Sequence, residues 1–177
     1  MGEIDTERLV MRGWRESDLG PWAEMNADPE VRRYLGPLLT FEQASAWALN
    51  YQDDLDRYGF GCWALEVRAS GEFIGFTGLR TVDDGMPFTG IELAWRLARP
   101  AWGHGYATEA SRAALRYGFD TLGHPEIVAV TMARNLRSQA VMRRTGMMTD
   151  PAEDFDDPDV EESALRHHVV YRRLRAS

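Results

Sequence analysis

Two short stretches of this chain hold residue types at spacings that can do chemistry. The first is Arg99-Pro100-Ala101-Trp102-Gly103-His104-Gly105-Tyr106-Ala107-Thr108-Glu109-Ala110. Gly103 and Gly105 carry no side chain, so several backbone N–H groups can turn toward one point. A helix opens directly after, and the unpaired N–H groups of its first turn add positive potential. Together they make a cradle for a pyrophosphate. A bare Gly-x-Gly also serves as a tight turn. The segment is not the dinucleotide fingerprint, because Thr108 holds the place of the third glycine, and no Gly-Lys-Ser/Thr follows as Walker A requires. The second stretch is Asn135-Leu136-Arg137-Ser138, after a strand and at the start of a helix. Asn135 reads first as an N-cap. Its other use, with Ser138, is to set an amide and a hydroxyl beside the tail of a bound cofactor.

Other reactive side chains are sparse. Cys62 is the single cysteine, so it forms no internal disulfide. It sits in a strand-like run, where a small packed residue is expected rather than a nucleophile. His104, His124, His167 and His168 show no metal-ligand spacing with Cys or Glu partners, so no metal is expected. The formal net charge of −8 argues against a nucleic-acid partner. Much of the acidity lies in DPAEDFDDPDVEES, residues 150–163. It reads as a solvated loop, with a lip that draws in cationic amines as the alternative.

These residues need a scaffold. The 177 residues, 44% hydrophobic and 27% charged, are enough to bury a core, and a single domain over 1–177 is expected. No apolar run approaches the ~20 residues of a membrane helix. The opening MGEIDTERLVMRGWRESD lacks the apolar centre of a secretory signal, so a cytoplasmic protein with no membrane partner is expected.

ERLVMRGW reads as a strand, and Ser17 and Asp18 can cap a helix running through Met25. Asp28-Pro29 starts a second, short helix. Thr40 and Gln43 form a capping box. The helix behind it carries Phe41, Ala44, Trp47, Ala48, Tyr51 and Leu55 on one stripe and stops at Gly59. Alternation through Trp63, Leu65 and Val67, a turn over 69–72, and a run over 73–80 predict a hairpin. A break over 83–87 precedes a strand over 90–97. Then come a helix over about 108–121, a buried strand over 127–132, a helix over 138–145 ended by Gly146, and a last strand over 164–174. The sum is α/β (α+β): a mainly antiparallel sheet flanked by helices, with one strand-loop-helix unit in its middle.

The stretches TERLVMRGW, EVRRYLG, GEFIGFTGL, IELAWRL, WGHGYATEA, NLRSQAVMRRTGM and LRHHVVYRR, spread over residues 6–174, resemble the GNAT superfamily in its RimJ/RimL-like branch of N-acetyltransferases. The joint order and spacing carry the resemblance. It implies the GNAT fold, a splayed mixed sheet with acetyl-CoA as co-substrate in the V between strands 90–97 and 127–132. The superfamily's pyrophosphate arm, Gln/Arg-x-x-Gly-x-Gly/Ala, corresponds to Trp102-Gly103-His104-Gly105-Tyr106-Ala107, running on into Thr108. Gly105 and Ala107 match, and Trp102 departs. His104 stands where a basic residue is frequent; it either meets the phosphates or is an exposed loop residue. Leu97 and Ala98 match the strand end whose backbone pairs with pantetheine. Asn135 and Ser138 match the second arm, and Arg143 is a candidate for the nucleotide phosphates, with a solvated helix face as the alternative.

The implied reaction asks for few parts. An alkyl amine near the lysine value of about 10.4 is mostly protonated at neutral pH and cannot attack a thioester. Glu92 stands at the matching position of the base-bearing strand and is the implied general base. Backbone N–H near Leu97 is the implied oxyanion donor. Many members carry tyrosine where Met142 stands; methionine donates no proton, which leaves Ser138 as the acid for the departing thiolate. Of Trp47, Tyr51, Trp63, Phe76, Phe88 and Trp95, only Trp95 is assigned to the acceptor; the others read as core.

The expected function is acetyl transfer from acetyl-CoA to a primary amine, a protein N-terminus or a small molecule, by direct attack in a ternary complex. The alternative is a non-catalytic acyl-CoA-binding sensor. A nucleotide-binding α/β enzyme using Gly-x-Gly for ATP or NAD is a further rival. Homodimers occur among the resembling proteins, and no residue here requires one.

Overall fold

The computed structural model describes residues 2–82, 86–157 and 166–176. Its strands are β1 (Ile4–Asp5), β2 (Leu9–Arg12), β3 (Cys62–Val67), β4 (Glu72–Thr81), β5 (Ile91–Leu97), β6 (Glu126–Met132), β7 (Met148–Thr149), β8 (Phe155–Asp156) and β9 (His167–Leu174). Its helices are α1 (Leu19–Ala27), α2 (Pro29–Arg32), α3 (Phe41–Tyr58), α4 (Tyr106–Arg116) and α5 (Leu136–Arg144). One sheet runs in the order β1-β2-β3-β4-β5-β6-β9-β7, with β8 beside β9. Every neighbouring pair is antiparallel except β5–β6.

The β5–β6 pair positions the site. It is parallel and registers at a single point, Glu92 opposite Val128. Beyond that point the strands diverge, so their carboxyl ends leave a V in the middle of the sheet. The faces of β5 alternate. Ile91, Leu93 and Leu97, with Trp95, pack into the core that holds α4 residues Ala110, Ala113 and Ala114. Ala94 and Ala98 pack toward the second core, built from Trp22, Met25, Ala44, Ala48 and Phe76.

Local signals explain most elements. The Thr40 hydroxyl accepts from the Gln43 N–H while Gln43 Oε1 accepts from the Thr40 N–H, and Gly59 ends α3 at φ 76°. Asp28 caps α2 through the Glu30 N–H, with Pro29 in its first turn. Asp18 does not cap α1. It closes a 3-10 turn over Glu16–Asp18 by accepting from the Arg15 N–H, and α1 runs on to Ala27. Asp18 is instead a buried ion-pair partner of Arg12, whose Nη1 and Nη2 reach it at 2.7 and 2.9 Å. Glu66 takes the Arg12 Nε at 2.7 Å. Burial pulls the guanidinium's pKa down, and these two carboxylates outweigh it, leaving the pKa raised.

Other boundaries differ from the sequence pattern for physical reasons. The α3 stripe buries Ala44, Ala48 and Leu55, while Phe41 and Trp47 stay exposed. Cys62 to Leu65 are all buried rather than alternating, because both faces of β3 are covered. α4 starts at Tyr106, two residues before the expected Thr108, because glycine geometry and not a side-chain cap begins it. It gives way after Arg116 to a π turn over Tyr117–Thr121, where a Cβ on Gly118 would collide with Ile127 and Leu79. α5 starts at Leu136 and ends at Arg144. β9 begins at His167; residues 164 and 165, and residues 83–85 of the expected break, lie outside the described residues.

Candidate functional site

The V opens into a cleft of about 410 Å³. Leu93, Ala94, Trp95 and Arg96 of β5, Val130 and Thr131 of β6, Asn135, and Ser138 and Met142 of α5 line it. Trp47 and Tyr51 of α3 and the Arg80–Glu92 pair close its other side. Of the predicted residues, Glu92, Trp95, Asn135 and Ser138 therefore meet in one cavity.

The glycine segment lies outside this cleft at the start of α4. Gly103 and Gly105 both take φ 82°, the left-handed region open to glycine at little cost. Gly105 is the N-cap, and no side-chain oxygen caps the first turn. The N–H groups of that turn therefore have no side-chain cap. Gly103, His104 and Gly105 are exposed, Tyr106 and Ala107 are half-buried, and the Thr108 side chain is buried. His104 stacks on Tyr106, with ring centroids 5.5 Å apart.

Arg8, which the sequence reading passed over, fixes this segment from the turn just before β2. Its Nη1 donates to the His104 carbonyl at 2.9 Å, and its guanidinium lies 4.8 Å from the Tyr106 ring centre. Its Nε donates to Glu109 Oε2 at 2.7 Å, and its N–H to Oε1 at 2.8 Å. The Thr6 hydroxyl donates to the same carboxylate at 2.6 Å. Burial works to raise the Glu109 carboxyl, but these donors outweigh it and hold it below the ordinary value.

Trp102 does not aim a polar group at a phosphate. Its indole N–H donates to the Leu97 carbonyl at 2.8 Å, and Arg137 stacks 4.6 Å from its ring centre. It ties the glycine segment to the end of β5 and the start of α5. The Ala98 N–H donates to the Ile74 carbonyl at 2.9 Å. At Leu97 and Ala98, then, one carbonyl and one N–H are already engaged within the chain.

Asn135 caps α5, as its position predicts, and also bonds the Ser138 hydroxyl. Its Oδ1 accepts from the Ser138 N–H at 3.3 Å, capping α5. Its Nδ2 donates to Ser138 Oγ and Thr131 Oγ1, each at 3.0 Å. Because Ser138 Oγ accepts from Asn135, its own proton is available to donate elsewhere. Met142 is buried beside it. Arg143 lies in the last turn of α5, where its Nη1 donates to the Tyr171 hydroxyl at 3.0 Å.

Glu92 sits where β5 and β6 part. Arg80, directly opposite on β4, donates from Nε at 2.9 Å and Nη2 at 2.7 Å to its Oε2. The cross-strand pair orients the carboxylate. Cys62 also borders the cleft; burial pushes its thiol up to about 12, so it stays protonated at neutral pH. Among the described residues, no group of three or more His, Cys, Asp or Glu could hold a metal, and no helix is long and apolar enough to cross a membrane.

A diverging parallel strand pair opens the cleft, Ser138 sets a hydroxyl on its wall, and α4 begins without a side-chain cap behind two left-handed glycines. Residues 8–148 match the acetyltransferase (GNAT) domain model, and the chain belongs to that family. It is 31% identical over 161 residues to the FsC-acetyl coenzyme A-N(2)-transacetylase of Aspergillus fumigatus, covering 83% of this chain and 67% of that protein. It is 30% identical over 148 residues to YkkB of Bacillus subtilis, covering 82% and 84%. A GNAT-family acetyltransferase structure from Bacillus anthracis superposes with a TM-score of 0.83 at 20% identity, covering 98% of this chain and 99% of that one. The chain is an acetyltransferase, and GNAT acetyltransferases draw their acetyl group from acetyl-CoA.

Proposed function

We propose that this chain, one domain over 1–177 in the RimJ/RimL-like branch, acetylates a primary amine by direct attack within a ternary complex. The single observation that carries the reading is the convergence of Glu92, Ser138 and the open edge of β5 on one cleft beside the uncapped α4. The Aspergillus relative's name, an N(2)-transacetylase, supports nitrogen as the acceptor atom.

Acetyl-CoA supplies an activated thioester carbonyl. The first-turn N–H groups of α4 and the glycine backbone hold pyrophosphate, with Tyr106, Ala107 and Thr108 contributing main chain rather than side chain. Glu92, held by Arg80, takes the ammonium proton directly or through water, which frees the nitrogen lone pair. A backbone N–H at the open edge of β5 near Leu97 stabilises the tetrahedral oxyanion. Ser138, oriented by Asn135, gives a hydrogen bond or proton to the departing thiolate. No covalent enzyme intermediate is needed, and the protonated, buried Cys62 takes no part.

Thermal unfolding with acetyl-CoA, CoA, ATP and NAD tests the donor site. Acetyl-CoA at ~100 times its dissociation constant stabilises the fold by about 2.7 kcal/mol, and ATP and NAD do not. Gly105→Val, which forces a branched residue to φ 82°, abolishes the shift. A shift with ATP or NAD instead sinks the reading, and binding without turnover of any amine favours an acyl-CoA sensor.

A further inference from the structure

Several arginines have a carboxylate partner: Arg8 has Glu109, Arg12 has Asp18 and Glu66, and Arg172 has Glu126 and Glu153. Arg96 and Arg32 are different. Among the described residues, no carboxylate makes an ion pair with either. Arg96 Nη1 donates to Asn26 Oδ1 at 2.5 Å, and Asn26, fully buried, is fixed by donating Nδ2 to the Trp22 carbonyl. Arg96 Nε is buried with no hydrogen-bond partner. The guanidinium lies 5.2 Å from the Trp22 ring centre and 5.3 Å from that of Trp47. Arg32 lies 5.5 Å from the same Trp47 ring, donates to the Pro37 and Leu35 carbonyls, and leaves Nη1 buried without a partner.

Two cations thus share one tryptophan, each with an orphaned N–H, beside the reaction cleft. Ring faces and carbonyls compensate a guanidinium only in part, and a buried cation without an anion is costly. Burial pushes the Arg96 pKa down to about 10, so it is still charged at neutral pH. The strand places this charge usefully. Glu92, Ala94 and Arg96 alternate along one face of β5, and all three line the cleft. Ala94 lies about 6.6 Å from each, two residues of strand either way. Tyr51, Cys62 and the Arg80–Glu92 pair face the same space, and none of them adds an anion that reaches Arg96 within ion-pair distance.

We propose that Arg96, backed by Arg32 across the Trp47 ring, is an anion subsite for a carboxylate on the acceptor, so that this chain acetylates amino acids in preference to polyamines. The inference rests on the amine-acetyltransferase reading above and narrows it. The acceptor's carboxylate meets the Arg96 guanidinium a few bonds from the amine that turns toward Glu92. A cationic acceptor such as a polyamine would instead place a second positive charge against Arg96.

The test uses the full chain, acetyl-CoA, and release of free CoA thiol as the readout. The acceptors are the common amino acids, the carboxamide of each, and spermidine. The best amino acid exceeds its carboxamide in kcat/KM by roughly 10- to 100-fold, the range a charge-assisted hydrogen bond supports. Arg96→Met brings that ratio close to one, and Arg96→Lys keeps part of it. Thermal stabilisation by acetyl-CoA is measured on every variant as the check of folding. Carboxamides or spermidine performing as well as the acids with the parent protein overturns the subsite, whatever the variants do. So does a ratio that survives in Arg96→Met. If acetyl-CoA stabilises the parent but no acid is preferred, the subsite alone fails. If acetyl-CoA does not bind, the acetyltransferase reading fails with it.

Discussion

Glu92 lies opposite Arg80, and that pairing decides what the carboxylate can do. As the proposed base it is oriented by a guanidinium and is needed only while the acceptor arrives protonated. Glu92→Gln therefore lowers kcat by about 10²- to 10⁴-fold at pH 7. The variant's rate should climb tenfold per pH unit toward the amine's own pKa, as the free amine accumulates without help. Steady-state rates from pH 6 to 10 check this; a deficit that stays constant with pH would show that Glu92 positions the acceptor rather than deprotonating it. Glu92 was legible only through the family resemblance of its strand, since nothing in its local pattern sets it apart from an exposed strand carboxylate. Asn135 with Ser138 was visible because a cap is local, three residues long. The cluster of Asn26, Arg32, Trp47 and Arg96 was not, because those residues come from separate elements and nothing local marks their convergence.

Elements were legible wherever a terminus had its own chemistry, as at Thr40, Gly59 and Asp28-Pro29. They were less so where tertiary contacts set the boundary. α4 begins on a glycine and is held from outside by Arg8, which reaches it from the turn before β2 across about a hundred residues. The Thr6–Arg8–Glu109 clamp holds a helix start that no side chain caps. Glu109 has its folded pKa depressed, so its contribution is fully present above the unfolded value of about 4.3 and lost as pH falls through the folded value. Glu109→Gln should lower stability by ~1 kcal/mol at pH 7, a modest figure because Arg8 is 44% exposed and solvent screens the pair. Urea unfolding at pH 7 and pH 3 checks the sign: the gap between parent and variant closes at the lower pH. A gap of equal size at both would assign the effect to packing.

Over the whole molecule, the net charge of −8 hides a division of labour. All twenty basic residues are arginine. Residues 99–148, which hold the glycine segment, α4, β6 and α5, carry seven arginines against three acids, and the rest carries thirteen against twenty-five. The acidic run that opens at Asp150 is part of the negative share. Its described portion, to Asp157, is more ordered than a solvated loop: Glu153 pairs with Arg172 at 2.7 Å, Asp156 with His167 at 3.0 Å, and Asp154 accepts from the Val170 N–H. Those carboxylates are partly spent inside the fold, which leaves less of them to attract a cationic acceptor. Residues 158–163 of the run lie outside the described residues.

This division predicts how salt acts on donor binding. A polyphosphate approaching a net-negative protein is repelled at long range and attracted at short range by the arginine-rich half. With a Debye length of about 10 Å at 0.1 M salt, the distant acids are screened first and the arginines near the glycine segment last. Attraction therefore dominates at working ionic strength. kcat/KM for acetyl-CoA should fall severalfold, roughly two- to fivefold, between 50 and 300 mM salt, while kcat at saturation holds steady. Initial rates across that range, with the acceptor saturating, check it. A rise in kcat/KM with salt would mean that the whole-molecule charge governs the encounter. The glycine segment and α4 would then bind the donor through backbone geometry alone, without help from the surrounding arginines.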